Sequence, residues 1–380
     1  MFTKSDLSRN AYMLTENLSR QGYDLWRHSF SGRSSITGEE KTFFIEFFLC
    51  NPALAGNRPI LGQAPENKTA GRLPSYLMIK AGHWGQNARQ IHRFVAWKKI
   101  SLHESAPFSI KASDCLLSET YLKGAVSISP EEAERHPEYM CQSGTMSWHL
   151  KINKKIPFHT GYSAGQLFRS VSAFNSYWHA EGMKTEYEGI ITLDGENYQV
   201  IPETSYGYAD KKWGSDFSSS YIWVSSCNLL SSKTGNSLKN SAFTVTGYRS
   251  KLFFLPLKRK FTGGLLYEGK QFEFNYLKFW MLPVTSFYCR ETDEELIWDI
   301  RQENLMSLMK MEIHCPKKDM LLMNYESPDG NIHPDHLWSG GTGTGFIRLY
   351  KKAGTRKVLI DEIFARHVKC TYGKSYTKTP

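Results

Sequence analysis

Residues 189–200 read GIITLDGENYQV, and this stretch decides the fold class. Ile191 and Leu193 lead into Asp194-Gly195, and Tyr198 and Val200 lead out of it. Asp-Gly between two such arms is the strongest short hairpin signal, because a two-residue type I′ turn needs positive φ at both central positions. The pattern returns at 263–274 as GGLLYEGKQFEF. Gly263 stands where Gly189 stood, Gly269 where Gly195 stood, and Phe272 and Phe274 replace Tyr198 and Val200. Two related hairpins in one chain are what two related β units leave behind.

Strand signals dominate on either side. Thr42–Leu49 (TFFIEFFL) is a nearly continuous apolar run interrupted by one carboxylate, Glu46. Tyr76–Lys80, Gln90–Trp97 and Thr145–Ile152 also read as strands. Met309, Met311 and Ile313 alternate with Lys310 and Glu312, the period of a half-buried strand. In GTGFIRLYKK, Phe346, Arg348 and Tyr350 alternate with Ile347, Leu349 and Lys351. The glycine-rich GGTGTG at 340–345 runs straight into that strand, so its likeness to a phosphate-binding loop fails for want of a following helix. Helix is expected in two places. Leu7, Ala11, Leu14 and Leu18 give residues 5–20 an amphipathic period, with Ser5 or Asp6 as cap, and Pro130–Arg135 reads as one turn opened by proline. Residues 51–75 read as a loop. The expected architecture is all-β, with few short helices and units at 1–165 and 166–380 between which strands can be exchanged.

Composition supports sheet and a lined cavity. The chain has 380 residues, of which 14% are aromatic: 22 Phe, 20 Tyr and 10 Trp. Large rings suit pleated, half-buried surfaces and pocket walls. The net charge of +10 is scattered, its densest runs being Lys258-Arg259-Lys260 and Lys317-Lys318. No recognition helix or zinc finger accompanies them, so a solvated basic surface is expected and nucleic acid is not. The charge is compatible with weak, reversible contact with an anionic membrane. Seven widely spaced cysteines without a CxxC pair read as reduced thiols of a cytoplasmic protein. The N-terminus has no apolar signal-peptide core, and no run approaches the roughly 20 apolar residues of a membrane span.

The segment 187–228, YEGIITLDGENYQVIPETSYGYADKKWGSDFSSSYIWVSSCN, resembles the tocopherol cyclase family. The residues that carry the resemblance are Tyr208, Asp210, Lys211, Trp213, Gly214, Phe217, Trp223, Cys227 and Asn228, preceded by Tyr177-Trp178. YDLWRHSFSG (23–32) and FFIEFFLCNP (43–52) are similar to the family's opening strands. The chain departs from the family pattern where Arg27 and His28 follow Trp26, where Ser218 follows Phe217, and where Val224-Ser225-Ser226 precede Cys227 without the usual glutamine. The resemblance implies two lipocalin-like units, no cofactor, and an apolar small molecule as substrate or ligand. It also implies a cyclase or hydratase reaction: protonation of an alkene, then capture of the tertiary cation by oxygen.

Such a step needs a carboxyl group held protonated by apolar surroundings, ring faces for positive charge, and exclusion of stray water. Asp210, among Tyr206, Tyr208 and Trp213, is the first candidate acid. The neighbouring Lys211 and Lys212 favour an ion pair instead, and Asp210 also suits a turn cap. Glu46 is the second, pointing inward with Phe44 and Phe48 or outward into water. His28 and His179 suit a proton relay or a structural hydrogen bond. Trp26, Arg33, Trp178, Tyr208, Trp213, Phe217, Trp223 and Asn228 are assigned to substrate binding, core packing being the alternative for the tryptophans. His333 and His336 in HPDH look like a metal-ligand fragment without a second half, and no metal is expected. A lipocalin-like carrier that leaves its ligand unchanged is the rival to the enzyme. The oligomeric state stays open.

Overall fold

The computed structural model describes residues 2, 4–158, 175–217, 221–248, 251–252, 255–256, 260–275, 279–333 and 336–374. Lys258 and Arg259, and Pro334 and Asp335 of HPDH, lie outside these. Among the described residues, the first sheet contains β1 (Tyr23–Ser34), β2 (Glu40–Cys50), β3 (Tyr76–Trp84), β4 (Arg89–Val95), β5 (Ile100–His103), β6 (Ser109–Ala112), β7 (Cys115–Ser118), β8 (Tyr121–Ile128), β9 (Gly144–Ile156), β10 (Ser176–Leu193), β11 (Glu196–Val200) and β12 (Gly207–Gly214). Its order is β4-β3-β2-β1-β11-β10-β9-β8-β7-β6-β5, with β12 also between β1 and β10. The sheet curls until β4 meets β8. It thereby encloses a core that includes Trp26, Phe30, Phe43, Phe47, Trp148 and Ile191. The second sheet begins at Tyr221 and is built around two long strands, His336–Ala353 and Arg356–Lys374. Its own core includes Ile222, Val224, Trp298, Met311 and Ile347. A third core lies between the sheets, with Leu25, Phe44, Phe48 and Trp178 from the first and Tyr221, Trp223 and Leu337 from the second. The chain is all-β, as its aromatic, alternating sequence implies.

Both hairpins form as read. Asp194 and Gly195 have φ of 47° and 87°, and Glu268 and Gly269 have 41° and 80°. Gly189 faces Val200 and Gly263 faces Phe274, so the two copies share a register and lie in different sheets. Among the described residues, the passage from the first sheet to the second falls after Gly214. β12 runs between β1 and β10 and completes both ladders there. Such long-range pairing leaves no local sequence mark.

The N-terminus departs from expectation. Helix is confined to Lys4–Ser8, with a 3-10 turn at Glu16–Ser19. Between them the chain makes turns and bonds to the first sheet. The Trp26 indole N–H donates to the Asn10 carbonyl at 2.9 Å, the Met13 N–H donates to Asp24 at 2.9 Å, and Leu14 enters the core. Buried partners from the sheet outweigh the modest propensity of a short isolated helix. Pro130–Arg135 is helical, and Ser129 caps it through the Glu132 N–H. The segment 51–75 contains a 3-10 turn at Pro52–Leu54 and a short helix at Pro65–Thr69. No helix among the described residues is long and apolar enough to cross a membrane. No disulfide joins the described cysteines.

Candidate active site

β12 reads GYADKKWG and is buried along its whole length, and β1 is buried except at Arg33. Apart from Arg33, the charges on these strands are therefore sealed from water whichever way they point. Alternation then sorts them. On β1, Leu25 and Arg27 face the second sheet, while Trp26 and Phe30 face the first core. On β12, Tyr208, Asp210 and Lys212 face the second sheet, and Lys211 points the other way toward Trp26.

The cross-strand register aligns these charges into a row. Asp210 is opposite Arg27, Arg27 opposite Glu46, Glu46 opposite Lys80, and Lys80 opposite His92. Acid and base alternate across four adjacent strands, each within reach of the next. Arg27 grips Asp210 at two points, Nε to Oδ1 at 3.0 Å and Nη2 to Oδ2 at 3.1 Å. Oδ2 also accepts the Trp178 indole N–H at 2.9 Å and the Tyr208 hydroxyl at 3.4 Å. Both oxygens of Asp210 are thus occupied as acceptors. Glu46, fully buried, accepts the Tyr325 hydroxyl on Oε2 at 2.6 Å, with Lys80 Nζ at 3.7 Å. Its Oε1 has no hydrogen-bond partner among the described residues. Lys80 rests over the Tyr325 ring at 3.6 Å, and burial, opposed by Glu46, brings its ammonium down to about 8. Burial and nearby Lys80 push His92 well below its usual value, so the row ends in a neutral imidazole.

The second sheet closes over this row. The Arg27 guanidinium lies 4.4 Å from the centre of the Trp223 ring, and the Trp223 indole N–H reaches Thr244 at 3.3 Å. Tyr208 packs on Trp223 with ring centres 4.9 Å apart. A cavity of about 20 Å³ remains between the sheets, bounded by Leu25, Arg27, Lys212, Phe217, Tyr221 and Tyr325 among others. That is room for a water or so. A larger ligand has to displace Phe217, Met323 or Tyr325, which stand outside the main ladders. Lys212 borders the cavity with the Phe217 ring at 4.2 Å and the Tyr221 ring at 4.7 Å.

The sequence-derived residues divide accordingly. Asp210, Glu46, Trp178, Tyr208, Phe217 and Trp223 gather between the sheets. Glu46 points inward with Phe44 and Phe48, the first of its two readings. The ion pair foreseen for Asp210 exists, with Arg27 as partner instead of Lys211 or Lys212. Lys211 pairs with Asp24 at 2.7 Å on the opposite face. The remaining residues are elsewhere. His28 points away from the cavity and bonds to the Tyr187 hydroxyl at 2.8 Å, and burial pulls it down to about 3. His179 lies one strand position from Trp178 and hence on the other face, and burial with Arg9, Lys154 and Lys211 nearby lowers it well below its usual value. Trp26 stacks on Phe108 at 4.7 Å inside the first core, and Trp213 stacks on Tyr177 at 5.4 Å. Arg33 has a 62% exposed side chain and pairs with Glu40. Asn228 bonds His367 at 2.7 Å, and His367 in turn bonds Glu40. Strand parity puts His28, His179, Trp26 and Trp213 out of the cavity.

Arg27, Lys80, Lys212 and Tyr325 were missed. Lys80 stands in YLMIKAGHW as one charge in an apolar run, the signal that marked Glu46. Arg27 and Lys212 sit inside the quoted motifs, where strand parity would have placed them beside Asp210. Nothing local marks Tyr325. Among the described residues no cluster of three or more His, Cys, Asp or Glu is placed to hold a metal.

Three solved structures are similar to the chain over 94% of its length. One is an AttH-designated protein of Nitrosomonas europaea, at 12% identity over 97% of that chain with a TM-score of 0.43. Another is kievitone hydratase of Nectria haematococca, at 10% identity over 93% with a TM-score of 0.42. The third is CghA in complex with Sch210972, at 11% identity over 89% with a TM-score of 0.43. Likeness at this level assigns neither family nor activity. No protein-family model matches the chain, and no curated protein matches it.

Proposed function

We propose that the charged row between the sheets is the active site of a cofactor-independent cyclase or hydratase of the tocopherol cyclase type, acting on an apolar, isoprenoid-like alkene. The observation that carries this reading is Glu46. It is a wholly buried carboxyl with one oxygen held by Tyr325 and Lys80 and the other without a hydrogen bond to any described residue. Oε1 is the position for a transferable proton. Phe48, Phe217 and Tyr325 cluster beside it with ring centres 4.8–5.9 Å apart, offering faces to a developing cation. The proton passes from Oε1 to the alkene carbon, and the tertiary cation is captured by a hydroxyl of the substrate or by water. That oxygen's proton returns to the carboxylate. Arg27, fixed by Asp210, lines the cavity and presents its remaining donors to a substrate oxygen. Asp210, with both oxygens engaged, anchors Arg27 and leaves proton delivery to Glu46.

The test is incubation with prenylated phenols and linear terpenoids in deuterated water. One deuterium on the former alkene carbon, abolished in Glu46→Gln and retained in His28→Asn, supports the reading. An apolar ligand extracted unchanged from the protein, with no turnover across the panel, assigns the cavity to a carrier. A carrier uses the same apolar walls but has no need of a proton on Glu46 Oε1.

A further inference from the structure

Lys212 is 4% exposed and lies on the cavity wall, yet it has neither ion pair nor hydrogen bond to a described residue. Its ammonium instead sits among rings, Phe217 at 4.2 Å, Tyr221 at 4.7 Å and Tyr23 at 5.9 Å. Three other buried lysines each have an anion, Lys80 with Glu46, Lys154 with Glu119 and Glu181, and Lys211 with Asp24, and Lys369 donates to the Tyr206 carbonyl. A buried ammonium without a counter-ion is costly, and such sites favour the neutral amine, which is nucleophilic.

We propose that Lys212 is a carbonyl-capturing amine, condensing with the aldehyde or ketone of an apolar ligand that enters between the sheets. The amine lone pair attacks the carbonyl carbon, the nitrogen gives up its protons, and the oxygen leaves as water, so an imine forms without change of oxidation state. When protonated, that imine places its charge where the ammonium stood, over the faces of Phe217 and Tyr221. The Tyr221 hydroxyl is positioned to pass the proton. It is buried, lines the same cavity, and lies near Arg27 and Thr246 without a well-formed hydrogen bond.

The charged and titratable groups around Lys212 act in both directions. Burial, then Arg27 on β1, lowers the ammonium to about 7, while Asp216 and Asp210 oppose them. Tyr23, Tyr221 and Tyr325 complete the surroundings as neutral phenols. Half of the side chains are thus nucleophilic near neutral pH. The inference is independent of the alkene chemistry: it uses a different side chain and a different substrate group, and either reading can fail alone.

The experiment is reductive trapping of the full chain with decanal and sodium cyanoborohydride at pH 7, followed by peptide mapping. Lys212 is expected to carry a decyl group on the order of a hundredfold faster than exposed Lys98 and Lys233, with a midpoint of labelling near pH 7. Lys212→Arg is expected to lose that fast phase and keep the slow surface labelling. Labelling of Lys212 no faster than of Lys98 and Lys233 in the unaltered protein overturns the proposal, as does a fast phase that survives in Lys212→Arg. Phe217→Ala, which widens the cavity, is expected to speed the labelling of Lys212 further. Deuterium incorporation into alkenes is read separately and is unaffected by either outcome.

Discussion

Arg27 and Asp210 face each other across the β1–β12 ladder and lock at two points, 3.0 and 3.1 Å, with both side chains buried. The pair is held from the second sheet by Trp223 under the guanidinium and from β10 by the Trp178 indole N–H. Asp210→Asn leaves the guanidinium buried without its anion and is expected to cost about 3–5 kcal/mol. The urea midpoint should fall at constant slope. The double replacement Arg27→Met, Asp210→Leu removes both charges and should lose clearly less than the two single changes together. Simple additivity would show that the two residues are not coupled.

Tyr325 ties the second sheet's side of the cavity to Glu46 through one hydroxyl at 2.6 Å. Tyr325→Phe keeps the ring beneath Lys80 and leaves the carboxyl with Lys80 alone. Stability is expected to drop by about 1–3 kcal/mol, measured by chemical unfolding. A change within error would mean that the hydroxyl bond contributes nothing net.

Glu326 is buried, accepts the Tyr76 hydroxyl at 3.1 Å, and is raised by burial to about 7 from an ordinary 4.5. Its folded value lies above its unfolded one, so between these values the folded state keeps a proton that the unfolded state releases. Its contribution is fully present below pH 4.5 and is lost as pH rises through 7. Glu326→Gln should therefore gain roughly 2–3 kcal/mol over the unaltered protein between pH 4.5 and 8. Taking the difference between the two proteins cancels the opposite slope from His28 and His83. Burial lowers these to about 3 and about 4, and they lose stability as pH falls below 6.5. A difference that does not change with pH would place Glu326 in contact with water.

Lys212→Met replaces an unpaired buried ammonium by a side chain of similar length. The folded value near 7 lies below the ordinary 10.5, so the charge penalty is complete below pH 7 and gone above 10.5. The variant is expected to be more stable by roughly 3 kcal/mol at pH 6 and by much less at pH 10.5. Equal melting temperatures at pH 6 would mean that the ammonium has a partner in solution.

Local chemistry alone determined the hairpins at Asp194-Gly195 and Glu268-Gly269, since a two-residue turn is written in its own residues. Alternation and ring content likewise made the class legible, and TFFIEFFL put Glu46 on an apolar strand without deciding which way it points. The leucine spacing of residues 5–20 misled, because the first sheet supplies the hydrogen bonds that a helix there would otherwise make. The sequence also named Asp210 and Trp178 without showing that Arg27 joins them, or that His28, His179, Trp26 and Trp213 turn away. Those outcomes depend on which strands pair and in what register. That choice is settled by burial across the whole sheet, and a shift of one residue exchanges every side chain between the faces. Tertiary structure alone aligned Asp210, Arg27, Glu46 and Lys80 into one row and brought Tyr325 onto it from the far end of the chain. Cross-strand partners so distant in sequence leave no trace in either neighbourhood.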